Sequence, residues 1–156
     1  MNIELTPLHK QLERHEGLKL EPYPCSAKRW TIGIGRNYED NPFTTNEITQ
    51  ILNEGFTEAL AYQMLDSDIR KVQEQLFRHY DYTQLDPVRA AVLINMGYQM
   101  GVRSLMRFHK MFQALEAKDF DKAADEMLNS RWARKQTSTR AAELAEQMRS
   151  GEWQTT

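Results

Sequence analysis

The sequence predicts a mostly helical α+β protein, with a small β-hairpin lobe and a helical lobe joined by one long helix. Three observations carry this. Strand-like alternation is confined to residues 18–36. A stripe of apolar residues at helical spacing runs through the segment from Thr57 to about residue 78. Beyond it, the apolar runs repeat at helical intervals and are punctuated by caps. A length of 156 residues suits one compact unit of two lobes with a buried core.

Each element has a local reason. Thr6 followed by Pro7 reads as an N-cap with proline at the first helical position, and Gly17 as the stop, giving a helix over 7–16 with Leu8 and Leu12 on one face. LKLEPY and RWTIGIGR alternate around the polar turn PCSAKR, a hairpin whose first strand Pro22 and Pro24 confine to a sheet edge. Thr44 and Glu47 form a capping box before ITQIL, and Gly55 ends that helix. Thr57 caps the long helix, whose stripe is Leu60, Met64, Leu65, Ile69, Val72 and Leu76. Asp86-Pro87 opens a helix so apolar that burial on most sides is expected, closed by Gly101. Further helices are expected near 108–117, 120–129 and 138–149. The β-containing lobe thus spans roughly 17–56, the linking helix 57–78, and the helical lobe 79–156 together with the N-terminal helix. A cleft between two such lobes is a common place for a site.

Composition narrows the function. Net charge is −2, with five more acidic than basic side chains in residues 1–87 and three more basic than acidic in 88–156. No dense Lys/Arg stripe with interleaved aromatics points to nucleic acid. The N-terminal residues mix apolar and charged positions, so neither a signal peptide nor a membrane anchor is expected. One cysteine excludes an internal disulfide and fits folding in a reducing cytoplasm.

The chemistry-bearing residues gather around HEGLKLEPYPCSAKRWTIGIG (15–35). Glu16 falls in the last turn of its helix, where the partial negative charge of the helix end disfavours a carboxylate. Partial burial acts in the same sense, and a carboxyl kept protonated is what a general acid needs. On residue type alone a solvated surface Glu is the commoner outcome. If the hairpin turns near Ala27, Tyr23 lies opposite Thr31, and Tyr23, Cys25 and Thr31 share a face. Lys28 and Arg29 would favour the thiolate if they point at Cys25. A small semi-buried residue is the usual fate of a free cysteine. His9, His15, His79 and His109 have no metal-ligand spacing. GIG lacks the lysine and helix of a phosphate loop, so Gly33 and Gly35 read as close backbone packing or a strand bend.

The spacing of Glu16, Cys25 and Thr31, with eight and then five residues between them, followed by TIGIG, resembles the active-site signature of the phage-type lysozymes, glycoside hydrolase family 24. The resemblance continues through DPVRAAVLINMGYQMG (86–101), FDKAADEMLNSRW (120–132) and QTSTRAAEL (136–144). Cys25 stands where Asp is commoner in the family, and Arg36 where His is usual. Met111 and Glu126 replace smaller polar residues near the cleft.

The resemblance implies a lysozyme-like fold and an endo-acting muramidase that cuts the β-1,4 bond between N-acetylmuramic acid and N-acetylglucosamine. It implies Glu16 as general acid, Cys25 as base or nucleophile, and Thr31 as a positioning group. Tyr98 and Gln99 would bind sugar, and Arg140 would support Glu16. No metal or cofactor is implied. The expected setting is a monomeric phage endolysin held in the host cytoplasm until a holin-type permeabiliser gives it access to the wall. Two other readings stand beside it: a lytic transglycosylase acting on the same bond, and a non-catalytic peptidoglycan-binding module of a phage particle.

Overall fold

A computed structural model describes residues 3–154. The chain forms two compact units, one ending at Arg70 and the other beginning at Lys71.

The first unit opens with α1 (Pro7–Glu16), which buries Leu8 and Leu12. Its capping box is unusual in using histidine. The Thr6 hydroxyl accepts from the His9 N–H, and the His9 ring Nδ1 accepts from the Thr6 N–H. With Nδ1 an acceptor, Nε2 carries the proton and donates to Asp66 at 3.0 Å. Strands β1 (Lys19–Pro24), β2 (Trp30–Gly33) and β3 (Arg36–Asn37) form an antiparallel sheet in that order. The proline-bearing β1 is therefore an edge strand, as its missing N–H donors require. Tyr23 pairs with Thr31, the predicted register, and Ile32 pairs with Arg36. The two-residue β3 has no period to reveal it in the sequence. α2 (Thr45–Glu54) starts on the predicted Thr44–Glu47 box and ends at Gly55.

The α3 helix (Glu58–Phe77) follows, with the Thr57 hydroxyl accepting from Leu60 N–H. Ile32, Leu60 and Met64 form the first unit's core, with Tyr38, Phe43, Ile51 and Phe56 packed against them. Gly33 lies at φ +70, and a methyl group there would sit 3.3 Å from Phe56 Cζ. The glycine is needed for the backbone angle, and a side chain there would also press on Phe56.

In the second unit, a 3₁₀ turn (Tyr82–Gln84) precedes α4 (Pro87–Met100), whose residues from Ala90 to Gly97 are all buried. α5 (Val102–Leu105) and α8 (Ser138–Ser150) pack with it, while α6 (His109–Glu116) packs on α7 (Phe120–Leu128) and α7 on α8. Leu93, Met96, Leu105, Met111, Met127, Leu144 and Met148 are fully buried, each contributing about 1.5–3 kcal/mol of apolar transfer. Arg89 closes the end of α8: Nε donates to the Met148 carbonyl at 2.6 Å and Nη2 to the Arg149 carbonyl at 2.9 Å. This satisfies carbonyls left without helical partners. The short α5 and a π-helical stretch at Trp132–Gln136 were not expected from the sequence.

Candidate active site

Three of the predicted site residues lie together in the first unit. Glu16 is the last residue of α1 and rests against the turn between β2 and β3. A methyl group added at Gly35 would lie 2.7 Å from Glu16 Oε1 and 2.9 Å from its Cβ and Cδ. The carboxyl therefore packs directly on backbone, and Gly35, at φ +73, is the residue that permits it.

Thr31 is 2% exposed, and its hydroxyl donates to the Arg29 carbonyl at 3.0 Å. Tyr23, opposite it in the ladder, projects from the same face. Cys25 follows directly after β1 and is half-buried; its N–H donates to the Arg29 carbonyl at 2.9 Å.

The titration behaviour reports which groups face one another. Burial raises the Tyr23 phenol, and the negative charges of Glu16 and Cys25 raise it further. For the Cys25 thiol the largest influence is the Arg29 backbone N–H, which lowers its pKa. Partial burial opposes this, the Ala27 N–H and the Thr31 hydroxyl add to the lowering, and the net direction is down. Thr31 has one proton to share between the Arg29 carbonyl and the thiolate, so its rotor follows the charge on sulfur. Tyr23 shares this face as the β1 alternation predicts, though the sequence assigned it no catalytic or binding role.

The charges of Lys28 and Arg29, expected to stabilise the thiolate, are not among the leading influences on it; hydrogen bonds from the turn backbone are, because a tight hairpin corner turns its amides toward the Cys25 sulfur. Lys28 is the corner residue at φ 61, and the Arg29 guanidinium faces Glu39 at 3.9 Å in an exposed pair. Lys28→Gln with Arg29→Gln is accordingly expected to leave the pH midpoint of Cys25 alkylation within about 0.3 units. The yardstick is that one unit corresponds to ~1.4 kcal/mol. A rise of a full unit in iodoacetamide titrations would restore the charge explanation.

Behind the turn, Arg36 is 3% exposed and forms two bidentate pairs. Nε and Nη2 donate to Asp68 at 2.9 Å each, and Nη1 and Nη2 donate to Glu47 at 2.7 and 3.0 Å. Asp68 also accepts from Asn41 at 3.0 Å, and Glu47 from the Thr44 N–H at 2.8 Å. Burial would raise the Glu47 carboxyl, but the Arg36 and Thr44 bonds prevail and hold it below the usual carboxylate range. Burial likewise opposes charge on Arg36, and the two carboxylates outweigh it.

The remaining predicted residues belong to the second unit. Tyr98 and Gln99 are on α4 and partly exposed. The Gln99 carbonyl accepts from Trp132 Nε1 at 2.9 Å, and its amide donates to Thr137 at 3.3 Å, so Gln99 spans the π-helical stretch. Such stretches are frequent at functional sites. Arg140 on α8 donates to Asn95 Oδ1 through Nη2 at 2.8 Å and Nε at 3.1 Å, and Asn95 is fully buried. Trp132 also lines a largely apolar groove of about 630 Å³ in which Arg107, Lys110 and Arg131 outnumber the one acid, Glu126.

The model of the phage lysozyme family matches residues 13–149. The chain belongs to the phage lysozyme family. That family consists of glycosidases whose substrate is peptidoglycan. Among its relatives, probable T4-type lysozyme 1 of Dictyostelium discoideum is 29% identical over 147 residues, covering 82% of this chain and 85% of that protein. Probable T4-type lysozyme 2 of the same organism is 28% identical over 146 residues with the same coverage. The pre-baseplate central spike protein Gp5 of Enterobacteria phage T4 is 29% identical over 154 residues, 86% of this chain but 26% of the spike protein. As a phage lysozyme family member the chain has, among the described residues, no helix long and apolar enough to cross a membrane. No group of three or more His, Cys, Asp or Glu side chains among them could hold a metal ion.

Proposed function

We propose that this chain is an endo-acting muramidase that hydrolyses the β-1,4 bond from N-acetylmuramic acid to N-acetylglucosamine. In this reading it serves a phage as an endolysin, is monomeric, and waits in the host cytoplasm until a holin-type permeabiliser admits it to the wall. Glu16 gives its proton to the glycosidic oxygen as the bond from that oxygen to the muramic C1 breaks. The Cys25 thiolate acts as base on the incoming water, or as the nucleophile at C1. Thr31 orients sulfur and water. Tyr98 and Gln99 contribute to sugar binding, with Arg140 supporting the site. The excess of basic side chains in the groove suits the carboxylates of peptidoglycan stem peptides.

The observation that supports the reading is the Tyr23–Thr31 pairing at the hairpin end, with the Glu16 and Cys25 charges close enough to raise the Tyr23 phenol and the Thr31 hydroxyl close enough to bond the Cys25 sulfur. A single acidic carboxyl beside a thiol leaves two outcomes for the cleaved sugar. Digested sacculi analysed by mass spectrometry are expected to yield muramic acid with a free reducing end. Products ending in 1,6-anhydromuramic acid would replace hydrolysis with a lytic transglycosylase.

The alignment with a quarter of a phage spike protein favours a second reading, a peptidoglycan-engaging module of the virion. Finding the chain in purified particles, rather than only in lysates, would support that placement.

A further inference from the structure

We infer that Arg36 is a positioning residue for Glu16: its two carboxylate partners lock the turn on which the Glu16 side chain rests. The inference rests on the reading of Glu16 as the general acid.

Only Ile34 and Gly35 connect β2 to β3, so Arg36 is the first residue after the glycine that touches Glu16. Ile34 is 2% exposed and anchors one side of the turn in the core. Arg36 anchors the other. Its guanidinium uses four N–H donors in two forks, one toward α2 through Glu47 and one toward α3 through Asp68. A planar group held from two sides can neither swing nor translate without breaking a charged hydrogen bond. Each partner is itself fixed, Glu47 by the α2 cap and Asp68 by Asn41. The network thus references the turn backbone to two helices.

Glu16 has no slack against that backbone, since even a methyl group at Gly35 would overlap it. A displacement of the turn is a displacement of the acid. Misplacing a reacting group by about 1 Å can lower the rate by ~10²-fold. A buried ion triad also stabilises the fold, so stability alone does not separate the two roles. The split between kcat and KM does, together with the dependence on Glu16.

The test uses Arg36→Lys, which keeps the charge but cannot form two planar forks, and Glu47→Gln, which weakens one fork and leaves Asp68 paired. Reducing-end release from soluble uncross-linked glycan strands is measured well below each variant's melting temperature. Circular dichroism supplies the folded fraction. Arg36→Lys is expected to lower kcat about tenfold or more, and Glu47→Gln about threefold, with KM within twofold. These factors lie inside the ~10²-fold range for misplaced groups. Combined with Glu16→Gln, neither is expected to lower the residual rate further, because residues acting as a unit are not additive.

Should Arg36→Lys fail to fold, Glu47→Gln carries the same test. Unchanged kcat in folded variants, or losses that persist in full in the Glu16→Gln background, would overturn the inference while leaving Glu16 as the acid. Cleavage that survives Glu16→Gln would overturn the acid assignment and the inference with it.

Discussion

Glu16→Gln is expected to lower peptidoglycan cleavage by about 10²–10⁴-fold, the range that general acid catalysis contributes. Glutamine reproduces the shape of the side chain and its packing against Gly35, but has no acidic proton for the leaving oxygen. The melting temperature is therefore expected to move by no more than about 2 °C, since surface and half-exposed polar changes usually fall within ±0.5 kcal/mol. Turbidity loss of outer-membrane-permeabilised Gram-negative cells gives the lytic rate, and calorimetry the stability. A Glu16→Gln protein that lyses cells at the wild-type rate would remove Glu16 from the chemistry. Sacculus binding by the wild-type protein with no turbidity loss would instead leave the wall-binding reading as the stronger one.

Cys25→Ala is expected to lower the rate by ~10²-fold or more, while Cys25→Asp stays active. The reason is the donor set at position 25. The Arg29 and Ala27 N–H groups and the Thr31 hydroxyl stabilise an anion there, and a carboxylate can use the same donors. The pH dependence gives a second readout with a fixed sign. The active form is the thiolate, so the rate rises with pH through the thiol pKa, which those donors lower. In Cys25→Asp the active form is a carboxylate, and the same limb is expected to shift toward the acid side by several units. Full activity in Cys25→Ala would take the thiol out of the mechanism. A rising limb that stays in place in Cys25→Asp would show that another group governs it.

The elements legible in the sequence share one property: each is set by contacts within about four residues. Thr6 with Pro7, Thr44 with Glu47, and Asp86 with Pro87 cap helices in the structure as they do on paper. The predicted α3 stripe is buried at every position. The hairpin register was legible for the same reason, because once a turn is placed the partners of a short ladder are counted rather than folded. The missed elements are β3, the 3₁₀ turn, α5 and the π-helical stretch. Their two to five residues are too short for a period, and the last is held from a distance, as Gln99 holds Trp132 across 33 positions.

The candidate site divides along the same line. By itself the sequence determined which side chains share the hairpin face, because alternation is a property of the strand backbone. It also carried the spacing of Glu16, Cys25 and Thr31 that resembles the family signature. Only the tertiary structure decided what acts on them. Lys28 and Arg29 are adjacent to Cys25 in sequence, yet backbone amides set the thiol's titration. Arg36 is 11 residues from Glu47 and 32 from Asp68, and no local pattern announces that a guanidinium will be closed on both sides by them. Electrostatics and close packing act through space, so their partners are fixed only when the chain has folded back on itself.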